Sequence, residues 1–353
     1  MTPDAPERTG LWLIGARGSV ATTTITGRAA LAAGLFPSTG LVTALPPFAD
    51  AGLPALDSLV IGGHDTATTP LPKRAEQLVE GGVLPHGLPA AVAEELAAAD
   101  AEIKQPGDHL ADDIADFTRR NGLTRTVVVN VASVETDPSI STAYAAAAIE
   151  AGCPYVNFTP ATGMRAPGLA DRARAAGLPF AGRDGKTGQT LLRTALAPMF
   201  SQRALAVRSW SGANLLGGGD GATLADPVAA AAKNAGKARV LTDILGSTPE
   251  GTTHIDNVPA LGDWKTAWDH VAFDGFLGTR MVLQTIWQGC DSALAAPLVL
   301  DLTRIVARAH AAGLSGELPG CAWFFKDPDA GPADLGAQHT ELLALAESLR
   351  TRP

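Results

Sequence analysis

The first 35 residues constrain the fold more than anything else in the chain. An apolar run, Leu11-Trp12-Leu13-Ile14, ends at the turn Gly15-Ala16-Arg17-Gly18, and helical composition follows from Ser19 to Leu35. A strand that passes through a glycine turn into a helix pairs with its next strand in parallel, by a crossover, so this order opens a βαβ unit. The alternation then continues. Residues 40–45 read as the second strand, stopped by Pro46-Pro47, and Leu59-Val60-Ile61 reads as a further short one. Helical stretches near 73–80 and 89–99 lie in an otherwise irregular region. Thr126 to Val131 is a β-branched run without alternation, the mark of a strand buried on both faces, and a helix over 139–151 and a strand over 155–158 follow. The pattern predicts an α/β chain with a doubly wound parallel sheet. After about residue 204, strand-like segments at 207–211, 253–258, 271–276 and 281–288 succeed one another, the last two joined by a short Leu-Gly turn. Short links between strands indicate an antiparallel or mixed sheet, hence a second α+β domain. Residues 291–312 and 334–349 are helical again.

Composition removes several function classes. With 27 basic against 36 acidic residues the formal charge is −9, a poor match for a phosphate backbone, so no nucleic-acid partner is expected. Hydrophobic residues make up 46% and charged ones 18%, enough apolar material for a core and too little charge for disorder. No apolar run reaches the roughly 18 residues that span a bilayer, and the polar start MTPDAPERTG has no signal-peptide core. Cys153, Cys290 and Cys321 are widely spaced and form no CxxC, against a disulfide framework or structural zinc and for a reducing cytoplasm.

The glycine turn has the form G-x-x-G-x-x-A over Gly15, Ala16, Arg17, Gly18, Ser19, Val20 and Ala21. Glycines allow the turn and the approach of a pyrophosphate, and the helix start supplies N–H donors, so these residues are the candidate dinucleotide site. A tight βα turn that binds nothing is the plain alternative. The second strand as read, ending Thr43-Ala44-Leu45, lacks the acidic residue that holds an adenosine ribose, and Asp50 lies beyond two prolines. NAD and NADP are not distinguished here.

A second anion seat is read at Arg183-Asp184-Gly185-Lys186-Thr187-Gly188-Gln189-Thr190, ahead of a helix over 191–200. An ordinary N-cap by Asp184 or Thr187 would look the same. A glycine-rich loop from Asn214 through Gly221 leads to Lys233 and Lys237, four residues apart and on one face if helical. Only seven lysines stand among 20 arginines, a drift that replaces Lys wherever charge alone is needed and so marks Lys233, Lys237, Lys265 and Lys326 as amines with a purpose. Lys326 follows Trp323-Phe324-Phe325, where an unpaired ammonium would be costly and its pKa depressed. His64, His254 and His270 lack metal-site spacing and read as structural.

Along nearly the whole chain these motifs resemble the inositol-1-phosphate synthases, archaeal and bacterial branch. The resemblance is carried by Gly15–Gly18, Gly62-Gly63-His64, Asn130-Val131-Ala132-Ser133 and Asn157-Phe158-Thr159-Pro160, and by the long blocks 181–190, 275–278 and 291–301. It implies a Rossmann-like domain built from 1–190 and 292–353, and an inserted catalytic and tetramerising domain over 191–291. It also implies NAD as a recycled redox cofactor. Glucose 6-phosphate is oxidised at C5, the C6 enolate closes on the C1 aldehyde, and the cyclic ketone is reduced by the same cofactor. The residues implied at the cofactor are Gly15 to Val20, Ala132, Asp184 and Asp291; those at the substrate are Thr187, Gly188, Gln189, Thr190, Asn214 and Asp220. Lys233 and Lys326 are expected in proton transfer at C5 and its neighbours, Lys237 at the C1 oxyanion, and Lys265 at the phosphate or O5. A monovalent or divalent cation beside the site stays open; no metal ligands are assigned.

Three features depart from the relatives: an alanine-rich segment (Val228 to Ala232) before Lys233, a shorter 64–126 region, and the bare Gly217-Gly218-Gly219. They leave the redox residues intact and keep a second substrate in view. With fructose 6-phosphate the same enolate would meet a C2 ketone and close a five-membered cyclitol. A dehydrogenase that releases NADH, or a non-catalytic NAD sensor, would not be expected to keep all four lysines.

Overall fold

In the computed structural model, residues 7–132, 138–217 and 241–352 are described. The first half runs β1 (Thr9–Ile14), α1 (Ser19–Ala32), β2 (Leu59–His64), α2 (Leu71–Glu80), α3 (Leu88–Ala91), α4 (Ala93–Ala101), β3 (Ile103–Lys104), α5 (Leu110–Arg120) and β4 (Arg125–Asn130). It continues with α6 (Pro138–Glu150), β5 (Tyr155–Asn157), α7 (Leu169–Ala175), β6 (Pro179–Gly182) and α8 (Gly188–Gln202). Next come β7 (Ala206–Leu216), β8 (Thr253–Asn257), β9 (Trp264–Asp274) and β10 (Arg280–Cys290), then α9 (Asp291–Ala311), β11 (Gly316–Glu317) and α10 (Leu335–Thr351).

Seven strands form one parallel sheet in the order β11-β6-β5-β4-β1-β2-β3. The chain winds outward from β1 to β3, then crosses back to β4 and winds the other way, so the topological switch point lies between β1 and β4. A crevice opens outside their carboxyl ends, the place where this architecture takes ligands. Both faces of the central strands are covered. Leu11, Leu13, Val127 and Val129 pack in the layer that contains α1, α9 and α10, while Trp12, Ile14 and Val128 pack against residues of α5, α6 and α7. That is why these strands read as unbroken apolar runs.

The other sheet has the order β10-β9-β7-β8, antiparallel except for the β7–β8 pair. One face packs Trp210, Val271 and Leu283 against Ala197 and Phe200 of α8. The opposite face is open, with Leu215, Trp268, Val282 and Ile286 exposed, Ile286 to 73%. Among the described residues no helix is long and apolar enough to cross a membrane.

One expected strand is absent. Residues 42–44 form a 3-10 turn, and the second strand of the sheet is β2, at 59–64. The cause lies far away in sequence. Asp301 on α9 accepts hydrogen bonds from the backbone N–H groups of Val42 (2.7 Å) and Thr43 (3.1 Å) and from the Thr43 hydroxyl. Donors that a strand would give to a neighbour are thus spent on a buried carboxylate.

Candidate active site

The turn after β1 is pressed into the crevice. The N–H groups of Gly15 and Ala16 both donate to the His64 carbonyl at the end of β2, at 2.9 and 3.1 Å. Gly15 has φ +83°, and a Cβ there would lie 2.8 Å from the Cα of Ala132, so the closeness of the β1 and β4 ends depends on glycine. No side chain caps α1 at Gly18, which leaves the helix start available to an anion. Arg17 braces the turn: its N–H donates to Asp65 Oδ2 (2.7 Å), and its guanidinium pairs with Asp100 (3.0 Å) and reaches the Ala67 carbonyl (3.1 Å). Ser19 Oγ accepts from Arg74 of α2 at 2.7 Å. Val20 is packed at the edge of the core. Asp65 follows β2 directly, so the acidic residue not found at 43–45 stands at the end of the true second strand.

The segment leaving β6 organises the second half of the site. Residues 182–186 run antiparallel to 324–329: Lys326 N donates to Asp184 O (2.7 Å), Lys186 N to Phe324 O (2.8 Å) and Asp329 N to Gly182 O (2.7 Å). This brings Lys326 Nζ onto Asp184 Oδ1 at 2.8 Å. The ammonium after the apolar run is thus paired, and the cost that an unpaired one would carry there does not arise. Three residues beyond Asp184, Thr187 occupies the N-cap position of α8, but its hydroxyl donates to Asp291 Oδ1 (3.2 Å) instead of capping the helix. Asp291, the first residue of α9, also holds Lys265 Nζ through its other oxygen. Two lysine–aspartate pairs thus flank a helix start without a side-chain cap, where Gly188 has φ +55° and faces Asp291.

Gln189 and Asn214 sit deeper. Asn214 donates to Gln189 Oε1, and Gln189 Nε2 donates to Asp269 Oδ2 at 3.0 Å. Asp269 also accepts from Arg193 (2.9 and 2.6 Å) and from Trp210 Nε1 (2.9 Å). All of these residues are buried, as is Thr190. The side chains of Gln189 and Asn214 therefore tie α8 to the second sheet. Lys233, Lys237 and Asp220 lie outside the described residues.

Three further residues were not singled out from sequence. Asp65 was hidden by the misplaced second strand, and Arg74 by the irregular region around it. Lys186 is 3% exposed, and its Nζ donates to Gln338 Oε1 on α10. Burial pulls its pKa down to about 7, against the opposing pull of Asp334. Among the described residues no group of three or more His, Cys, Asp or Glu side chains could hold a metal ion.

Comparison with known proteins places the chain in a family. Residues 188–292, from the start of α8 to the start of α9, match the family model of myo-inositol-1-phosphate synthase. Inositol-3-phosphate synthase 1 of Bacteroides thetaiotaomicron is 30% identical over 391 aligned residues, covering 92% of this chain and 90% of that protein. The Trypanosoma brucei brucei inositol-3-phosphate synthase is 34% identical over 212 residues, 57% of this chain and 37% of that longer protein. Among solved structures, the Caenorhabditis elegans inositol-3-phosphate synthase superposes with a TM-score of 0.82 at 21% identity, over 99% of this chain and 87% of that one. A Thermotoga maritima myo-inositol-1-phosphate synthase-related protein gives 0.76 at 20% identity, over 97% and 99%. The structural matches share the fold, and the bacterial relative covers nearly the full length: the chain belongs to the inositol-3-phosphate synthase family, enzymes of the intramolecular lyase class.

Proposed function

We propose that the chain is a sugar-phosphate cyclase that converts glucose 6-phosphate to a myo-inositol phosphate with NAD as a recycled cofactor. The observation that carries this reading is the pair of lysine–aspartate contacts, Lys326–Asp184 and Lys265–Asp291, on either side of the α8 start.

The crevice fits a dinucleotide: the Gly15–Ala132 approach leaves no room for a Cβ, and α1 begins without a side-chain cap. Gly15 to Val20 would hold the pyrophosphate and Asp65 the adenosine ribose, with Asp184 and Asp291 nearer the redox end. Asp65, at the end of β2, is the acid that would accept from a free 2′-hydroxyl, which supports NAD over NADP. When bound, NAD supplies the hydride acceptor for the first step and the donor for the last.

The N–H groups of Gly188, Gln189 and Thr190 bind the substrate phosphate at the α8 start, with Thr187 and the buried Gln189–Asn214 pair fixing that turn. Lys326, oriented by Asp184, holds a proton at O5 of the sugar. Lys265, anchored on Asp291, places its charge at the phosphate or O5. Lys233 takes part in proton transfer beside C5, Lys237 donates to the oxyanion that forms at C1, and Asp220 contacts substrate. Fixed cationic donors in a site shielded from water stabilise enolate and alkoxide charge far better than solvent does. The open face of the second sheet, with Trp268, Val282 and Ile286, is the surface on which copies of the chain assemble a homotetramer.

The test is to incubate the protein with NAD and 13C-labelled glucose 6-phosphate or fructose 6-phosphate in separate tubes, following carbon NMR and NADH absorbance. Loss of the anomeric signals in the glucose tube without NADH build-up is the expected result. Turnover of fructose 6-phosphate alone, with a new quaternary carbon, would replace the inositol reading with a five-membered cyclase. NADH rising in step with substrate loss would mean a dehydrogenase.

A further inference from the structure

Of the lysines around the α8 turn, Lys186 is held differently from Lys265 and Lys326. Its backbone N–H is fixed by Phe324 O at 2.8 Å, and its side chain runs inward to 3% exposure. There Nζ donates to Gln338 Oε1, a neutral amide that is itself buried and held by its Nε2 on Pro332 O at 2.8 Å. The two carboxylates at the α8 turn are already committed, Asp184 to Lys326 and Asp291 to Lys265. From α8, Arg193 is committed to Asp269. From α10, Asp334 at the N-cap favours the ammonium without reaching ion-pair distance, and desolvation outweighs it. Among the described residues, then, Lys186 is a buried amine without a paired anion, two residues before the first helical residue of α8.

We propose that Lys186 is a specificity residue of the phosphate seat: it takes up a proton when a phosphate dianion settles on the start of α8, so that the site favours the doubly charged sugar phosphate. This deepens the reading above and rests on it for the location of the phosphate. The physical cause is the missing counter-charge. A dianion within about 8 Å of the amine, at an effective dielectric of about 20, raises its proton affinity by more than tenfold. Because the free amine is already drawn down to about 7 by burial, that rise falls in the neutral range.

Two measurements on the NAD-loaded enzyme test this. Sugar phosphates stay dianionic above their second ionisation near pH 6, so from pH 7 to 9 the substrate itself does not titrate. Over that range the wild-type KM for glucose 6-phosphate is expected to rise by up to about tenfold per pH unit. K186M and K186Q should show a higher KM at pH 7 that is flat to pH 9, the effect falling on KM more than on kcat. Calorimetry at pH 8 with 1,5-anhydroglucitol 6-phosphate, a dianion that can be neither oxidised at C5 nor cyclised, in two buffers of different ionisation enthalpy, should show uptake approaching one proton in the wild type and none in either variant. A flat wild-type KM, an unchanged slope in both variants, or binding of this analogue without proton uptake overturns the role of Lys186 and leaves the cyclase reading standing. Failure of the analogue to bind overturns the phosphate seat as well.

Discussion

Replacing Asp269 by leucine should unhinge the site more than any other single interior change. Asp269 is 1% exposed and accepts from two N–H groups of Arg193, from Trp210 Nε1 and from Gln189 Nε2, four contacts of 2.6 to 3.0 Å. The Arg193 guanidinium, with 2% of its side chain exposed, would keep its bond to Thr253 (3.0 Å) and lose its counter-ion. Removing one partner of a buried pair costs about 3–5 kcal/mol, and the orphaned Trp210 and Gln189 donors add roughly 1–3 kcal/mol. That is a large share of the roughly 5–15 kcal/mol that holds a domain. Arg193→Met combined with Asp269→Leu removes both charges and should cost clearly less than Asp269→Leu alone. Urea unfolding at pH 7, followed by tryptophan fluorescence, measures each arm of the cycle. Turnover of the folded fraction should fall further than NAD binding, because β9 carries Lys265 and Gln189 sets the α8 turn, whereas the β1 turn is untouched. A single substitution costing under about 1 kcal/mol, or a double variant weaker than the single one, would refute the argument.

Three other outcomes are expected. Gly15→Ala forces a residue at φ +83° against the Ala132 backbone at 2.8 Å, so NAD affinity measured by fluorescence titration should fall by at least about tenfold in a folded protein; an unchanged Kd would mean that the crevice is not the cofactor site. Lys326→Met and Lys265→Met should each lower kcat by about 100-fold or more, with Asp184→Asn following Lys326→Met in part; retention of a tenth of the activity would remove that lysine from the chemistry. Burial raises the Asp301 carboxyl to about 6 from an ordinary 3.8, outweighing the donors of Val42 and Thr43. The folded state then binds more protons than the unfolded one between those values, so this contribution is present in full below 3.8 and declines as pH rises through 6. The stability of the wild type relative to Asp301→Asn should therefore fall by about 2 kcal/mol from pH 4 to pH 6 in denaturant titrations; a constant difference would contradict it.

The parallel sheet was legible wherever strands are long and buried on both faces. Leu11 to Ile14 and Thr126 to Val131 cannot pattern otherwise. Elements that draw their order from elsewhere were not legible. The turn at 42–44 looks like a strand by composition and is shaped by Asp301, 258 residues beyond Thr43. Strands β3 and β11 have two residues each, too few to show a period. Helix α5 marks its buried face mainly with Ile114 and Phe117, within a charged stretch that reads as irregular. The misplaced second strand also put the end of that strand at 43–45, and so hid the acidic residue, Asp65, that follows the true one.

The candidate lysines could be singled out because the composition spends arginine wherever charge suffices; their partners could not, because the two pairs are made by different backbone devices. Asp184 lies 142 residues from Lys326 and has φ +61°, a left-handed conformation that Asp tolerates better than most side chains. That conformation, with the antiparallel run of 324–329 alongside, puts carboxylate and amine side by side. Asp291 lies 26 residues from Lys265 and is the first residue of α9, where the helix dipole favours a negative charge. Its two oxygens divide between Lys265 and Thr187, so one carboxylate registers the α9 start, strand β9 and the α8 turn against each other. Neither a left-handed aspartate nor a dipole-supported one can be exchanged for glutamate without moving the lysine it holds. Asp184→Glu and Asp291→Glu, which conserve charge, should therefore lower kcat by at least about tenfold each. Full activity in either would show that charge alone, without position, is what the lysine needs.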